Sequence, residues 1–269
     1  NTKISSKYMS FIDRPVYADS SVSPARASGA VVSLAAEDYK WSLAAGLQNG
    51  GFNSKNGGDT YEINGSTFAL RGSFLPFKQD KNHLVQIGAA FLTQGGGDEF
   101  KLKPDLVSHE DIYKPLSTGT ITANDFDGAD AFTIDALAVY GSFHAMAEYL
   151  DHSTKQETAN DIDTTAFSVE AGYFLTGESL KWKKGYTSGV TPKSSSGAWQ
   201  VAARFETLEI DPGSAAESEF DKFILGVNFY PTSNTRLMLN YDKVTDLTVG
   251  GSSSNNEPSA LKFRAQAYW

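Results

Sequence analysis

The chain has 269 residues, no cysteine and a net charge of −9, from 23 basic against 32 acidic residues. The missing cysteines exclude a disulfide framework and a thiolate metal centre, and the acidic balance lacks the basic face that nucleic-acid binding requires. A mean hydropathy of −0.32, with no run near the roughly 20 apolar residues of a membrane-crossing helix, excludes a helical membrane protein. It leaves room for a transmembrane barrel, which needs only alternate residues apolar over about 9–11 positions per strand. The chain opens on Asn1 without a signal peptide and reads as a processed or partial polypeptide.

Polarity of period two, the strand period, runs through the chain. The first segments, near 27–37 and 39–48, flank the tight AEDY turn. Near 66–76, FALRGSF sets Phe68, Leu70, Gly72 and Phe74 opposite Ala69, Arg71 and Ser73. Strands are expected next near 83–93, 131–141 and 143–151, the last two joined at Gly141 and Ser142. In a strand expected near 164–175, AFSVEAGYFL sets Phe167, Val169, Ala171 and Tyr173 against Ser168, Glu170 and Gly172. In one near 197–208, GAWQVAARFE sets Trp199, Val201, Ala203 and Phe205 against Gln200, Ala202, Arg204 and Glu206. DKFILGVNFY and TRLMLNYDK, in strands near 220–230 and 235–245, repeat the pattern across the PTSN turn, and SALKFRAQAYW (259–269) ends it with Lys262 and Arg264 on one face. Helical periodicity is absent, so the chain is all-β with about eleven strands.

The remaining connections are long and polar, and short and long ones mostly alternate, as when turns lie on one side of an outer membrane and loops on the other. GESLKWKKGYTSGVTPKSSSG breaks that parity by being long on the short-turn side. A secreted β-sandwich also alternates, but its outward face would be polar. Here Trp199, Phe229, Tyr230, Tyr241 and Trp269 sit near strand ends like an interfacial girdle. The reading is a transmembrane antiparallel β-barrel between lipid and water. A final strand with a terminal ring then fits a paired strand better than a frayed end.

The phrases SSKYMSFIDRPVYADSSVSPAR, FKLKPDLVSHEDIYKPLSTGTI, YFLTGESLKW, GAWQVAARFETLEI, LGVNFYPTSNTRLMLNY and EPSALKFRAQAYW resemble the phosphate-selective porins O and P. The resemblance implies a trimeric, water-filled barrel of about sixteen strands carrying anions across a bacterial outer membrane, among lipid and lipopolysaccharide. The FIDR-like phrase implies that residues 1–26 are an inward-folded constriction loop and 27–269 the strands and loops of one barrel domain. Bacterial single-chain barrels have even strand numbers, so the chain is expected to be the carboxy-terminal part of a porin, about five strands short.

A pore selects by the charges at its narrowest part. By resemblance Arg14 is the candidate anion-binding residue of the constriction, helped by Lys3 and Lys7. The alternative is an arginine that ties the loop to the wall through carboxylates. Lys101 and Lys103 of FKLKPD stand where the family has a cationic ladder richer in arginine, although lysine lacks the fork that grips phosphate bidentately. Alternation turns Arg71, Arg204, Lys222, Arg236, Lys262 and Arg264 toward water, with Asp135, Glu148, Glu170, Glu206 and Asp242. These near-balanced groups read mainly as a structural lattice of wall charges. NDFDGAD has carboxylates at calcium-loop spacing, but Ala123 and Ile134 occupy ligand positions. No metal site, cofactor or catalytic constellation emerges, so an enzyme is not expected. The expected function is passive diffusion of small inorganic anions such as phosphate. The acidic long loops keep two alternatives open: a general or weakly cation-selective porin, and a barrel-anchored surface protein that binds partners.

Overall fold

A computed structural model describes residues 6–19, 28–49, 66–96, 101–107, 113–118, 120–122, 124–213 and 215–267. The expectations for Lys3, Ala123 and Trp269 fall outside them. Eleven long strands form: β1 (Ser28–Ala35), β2 (Trp41–Asn49), β3 (Ser66–Asp80), β4 (His83–Gly95), β5 (Phe126–Tyr140), β6 (Phe143–Gln156), β7 (Ile162–Phe174), β10 (Ala198–Asp211), β11 (Ser218–Thr232), β12 (Thr235–Val249) and β14 (Ser259–Ala267). Between β7 and β10 lies a small ribbon, β8 (Lys181–Lys183) and β9 (Tyr186–Ser188), and the two-residue β13 (Ser252–Ser253) hangs on β12. Every long strand pairs antiparallel with its neighbours in sequence, and β10 continues from β7 across the ribbon. Among the described residues β1 and β14 are each paired on one side only, so the sheet is not closed.

The burial pattern is inverted relative to a water-soluble sheet. Phe68, Leu70, Phe91, Phe132, Phe167, Phe223, Leu225, Leu237 and Phe263 are exposed. On the opposite face of the same sheet Gln86, Glu148, Glu170, Gln200, Arg204, Lys222 and Asp242 are buried. Cross-strand partners share a face, and the register Val201↔Val227↔Leu239 keeps the apolar face continuous. Such a face is favourable only against hydrocarbon. Leu225→Arg, at the middle of β11, should therefore cost about 2–4 kcal/mol. Equilibrium urea unfolding in lipid vesicles would show this, and an unchanged midpoint would mean that this face does not meet lipid.

Trp199 and Phe229 stack at 4.5 Å on the outer face, as a girdle requires. Tyr230 corrects the expectation for its group: one residue further along β11 it faces inward, is buried, and donates its hydroxyl to Gln200 Oε1 at 2.8 Å. The NDFDGAD stretch is strand rather than loop for most of its length. It runs into β5 through a bulge at Gly128 (φ 129°), where only glycine is unstrained, while Asp125 Oδ1 accepts hydrogen bonds from Thr158.

Most of the apolar core lies inside the curve of the sheet. At the long-loop end Val16 and Tyr17 pack with Leu102, Leu106, Leu116, Ile121, Phe220 and Leu247. The long connection between β4 and β5 is thus more than a polar mouth: residues 101–107 and 113–118 fold inward onto the wall. At the short-turn end Met9 packs with Leu75, Leu84, Phe174, Leu180 and Val190. The long connection on that side therefore folds back over its own mouth. Trp182 Nε1 donates to Gln86 Oε1 at 2.8 Å, and Gln86 Nε2 donates to Gly185 O at 3.0 Å.

Candidate constriction and wall-charge lattice

Residues 6–19 form a strap along the inner wall, with short 3-10 turns at Ser6–Tyr8 and Val16–Asp19. The wall holds it chiefly through its main chain. Asn228 Nδ2 donates to Ser10 O (2.8 Å), Arg264 Nη1 to Ile12 O (3.1 Å), and Arg204 to Asp13 O (3.0 Å) and Arg14 O (3.2 Å). Arg236 donates to Met9 O. In return Ile12 N donates to Asn240 Oδ1 (2.7 Å) and Val16 N to Glu206 Oε2 (3.2 Å). A buried carbonyl left without a donor is costly, and inward polar residues of β10, β11, β12 and β14 provide the donors.

Side chains complete the seating. Phe11 is buried against Ala202 and Ile224 beneath the Arg204 guanidinium, 4.7 Å from ring centre to Cζ. Ser10 Oγ lies 3.3 Å from His144 Nε2 and accepts from Gln200 Nε2 at 3.1 Å. The Tyr17 hydroxyl is 3.0 Å from Ser168 Oγ. Burial, followed by the nearby Glu148 carboxylate, pushes the Tyr17 phenol well above its ordinary range, so it stays protonated.

Under the strap the wall charges alternate in sign across five strands. Arg204 stands between Glu170 (3.8 Å) and Glu206 (3.6 Å), and Lys222 between Glu206 (2.7 Å) and Asp242 (3.9 Å). Lys262 stands between Asp242 (2.6 Å) and Asp13 of the strap (2.5 Å). The same lysines grip the second inward loop, Lys222 through Leu106 O (3.2 Å) and Lys262 through Val107 O (2.9 Å). One lattice thus neutralises the wall and fastens two loops. It also draws Arg204 and Lys222 out of reach of a solute, each 2% exposed, and Arg236, bonded to Met9 O and Gln266 Oε1, is buried as well.

The sequence-derived candidates do not converge on one point. Arg14 is half-buried on the strap, and its carbonyl rather than its guanidinium meets Arg204. Lys7 is half-buried with its ammonium 5.2 Å from the Tyr8 ring centre. Lys101 is half-buried and Lys103 exposed on the second loop. Arg71 pairs with Asp135, away from the strap. Asn228 and Asn240 are additions to the sequence-derived set, although alternation turns both asparagines inward.

The mouths differ in charge. Lys40, Lys78, Lys81, Lys181, Lys183 and Lys184 are exposed at the short-turn end. The buried carboxylate there, Glu178, is satisfied locally. Burial acts to raise its pKa, but hydrogen bonds from Thr176 Oγ1 and Lys193 N hold it below the ordinary range. The long-loop end instead carries Asp125, Asp127, Glu157, Asp161, Asp211 and Glu217.

Residues 2–269 match the family described as phosphate-selective porin O and P. The chain belongs to that family. A search of curated protein sequences gives no match. Among solved structures, this porin chain is similar to OmpT, an outer membrane protein of Vibrio cholerae in its trimer form, with a TM-score of 0.53 and 16% identity. The alignment covers 90% of this chain and 64% of OmpT, so the chain spans less than two thirds of that protein's length. The shared feature is the fold. Family and fold together make the chain part of an integral protein of the bacterial outer membrane.

Proposed function

We propose that the chain forms most of a porin that passes small inorganic anions, phosphate among them, with Arg14 at the constriction. The observation that carries this reading is the strap: the segment that bears Arg14 is fastened to the inner wall through five main-chain carbonyls, Arg14 O among them, which leaves the wall's grip independent of the Arg14 side chain. A cation held where a solute loses part of its water is a strong filter. The exposed lysines of the short-turn mouth, and Lys7, Lys101 and Lys103, add to an anion-attracting path. The one-sided pairing of β1 and β14 supports closure by further strands, since an open edge is not tolerated in lipid. The trimeric form of OmpT supports a homotrimer, and the apolar outer face suits lipid and lipopolysaccharide.

The test is the zero-current potential of the full-length protein in a planar bilayer under a potassium chloride gradient. Anion preference that collapses in Arg14→Ala is the expected result. Cation preference indifferent to that substitution would instead assign control to the acidic long-loop mouth.

A further inference from the structure

Arg71 on β3 and Asp135 on β5 both point inward, yet their strands are not neighbours, because β4 runs between them. Arg71 reaches across with Nη1 2.6 Å and Nη2 2.8 Å from the two carboxylate oxygens. The crossing is possible because β4 carries Gly88 at that point. A Cβ there would lie 2.5 Å from Asp135 Oδ2 and 2.6 Å from Arg71 Nη2. The ion pair therefore lies flat on bare backbone.

Among the described residues the wall on the β3 and β4 side of the pair carries no other charge nearby. The inward neighbours Ala69, Ser73, Ala90 and Thr133 are small and uncharged, whereas Glu148 stands opposite Asp135 on β6. The side chains of Arg71 and Asp135 are 23% and 16% exposed, against 1% each for Arg204 and Glu206 beneath the strap. Among the described residues the strap's hydrogen bonds go to β6, β7, β10, β11, β12 and β14, and it meets β3 and β4 through Met9 beside Leu75 and Leu84, nearer the short-turn end than the pair. Most inward cations are thus committed to holding loops, whereas this pair stays within reach of water and of a passing ion.

We infer that Arg71 and Asp135 form a second selectivity element on the wall of β3 to β5, in which Asp135 masks the Arg71 charge across Gly88. The inference rests on reading the chain as an ion channel and deepens it. A closed pair presents only a dipole. Removing either partner leaves a net charge acting over about 8 Å at physiological salt. Asp135 also faces Glu148 directly across β5 and β6, and like charges so opposed repel, so a purely structural role for Arg71 is the competing account.

The experiment measures the anion-to-cation permeability ratio of the full-length protein carrying Asp135→Asn, Arg71→Gln or both. Asp135→Asn should raise the ratio severalfold, Arg71→Gln should lower it, and the double variant should lie near the parent. Unchanged ratios in both single variants, with conductance intact, would overturn the inference; a structural pair would move only the unfolding midpoint. Ala90→Cys serves as a second measurement, since this chain has no cysteine of its own and Ala90 pairs with Arg71. A small cationic thiosulfonate should change its current, and no change would place the pair outside the ion path. A parent that prefers cations would overturn the anion reading alone, because opposite shifts in the two single variants would still support the pair.

Discussion

Arg204→Ala should destabilise the folded protein by about 3–5 kcal/mol, the range for breaking a buried ion pair by removing one partner. Arg204 lies between Glu170 and Glu206, both buried on the same inner face. Alanine would leave the first carboxylate without its guanidinium and the second dependent on Lys222. It would also strip the donors from Asp13 O and Arg14 O and the cation from the Phe11 ring. Arg204→Lys should fall between parent and alanine, because an ammonium keeps the charge but not the fork that reaches two carbonyls. Urea unfolding in lipid vesicles checks both variants. A loss below about 1 kcal/mol, the worth of an exposed pair, would mean that water reaches this part of the wall.

Gly226→Leu should change the channel more than the barrel. A Cβ at this inward position of β11 would lie 2.7 Å from Asn240 Nδ2 and 3.2 Å from Phe11 Cε1. Those two residues seat the strap, Asn240 by accepting from Ile12 N and Phe11 by filling the hollow between Ala202 and Ile224. Overpacking of this kind costs about 1–3 kcal/mol, which a sheet of this extent absorbs, so the strap should yield first and move toward the pore axis. Single-channel current should fall severalfold and become noisy, with Gly226→Ala showing a weaker form of the same effect. Unaltered conductance would mean that the strap does not bound the ion path.

The strands were legible in the sequence because each meets two different solvents, and that writes period two into every segment. Even the misread Tyr230 obeyed the rule, since strict alternation from Phe229 turns it inward. Strand ends were less legible. β5 begins at Phe126 and β12 runs to Val249, both through stretches that read as polar loop. The second inward loop was hidden for a different reason. Leu102, Leu106 and Leu116 are too sparse among polar residues to establish a strand or helix period, and their burial depends on the strap beside them. The wall charges could be assigned to a face but not to partners. Arg71 and Asp135 are 64 residues apart and separated by a strand, so their meeting depends on register and on a missing side chain at Gly88.

The manner in which the strap is fastened bears on how this lumen can change over evolutionary time. The wall grips Met9, Ser10, Ile12, Asp13 and Arg14 by carbonyl oxygens, groups that every amino acid carries. Substitution at Arg14 leaves its fastening oxygen where it was. A lineage could therefore exchange one solute preference for another at this position without first re-engineering the scaffold that presents it, and the inventory of wall donors would persist while the residues it displays diverge.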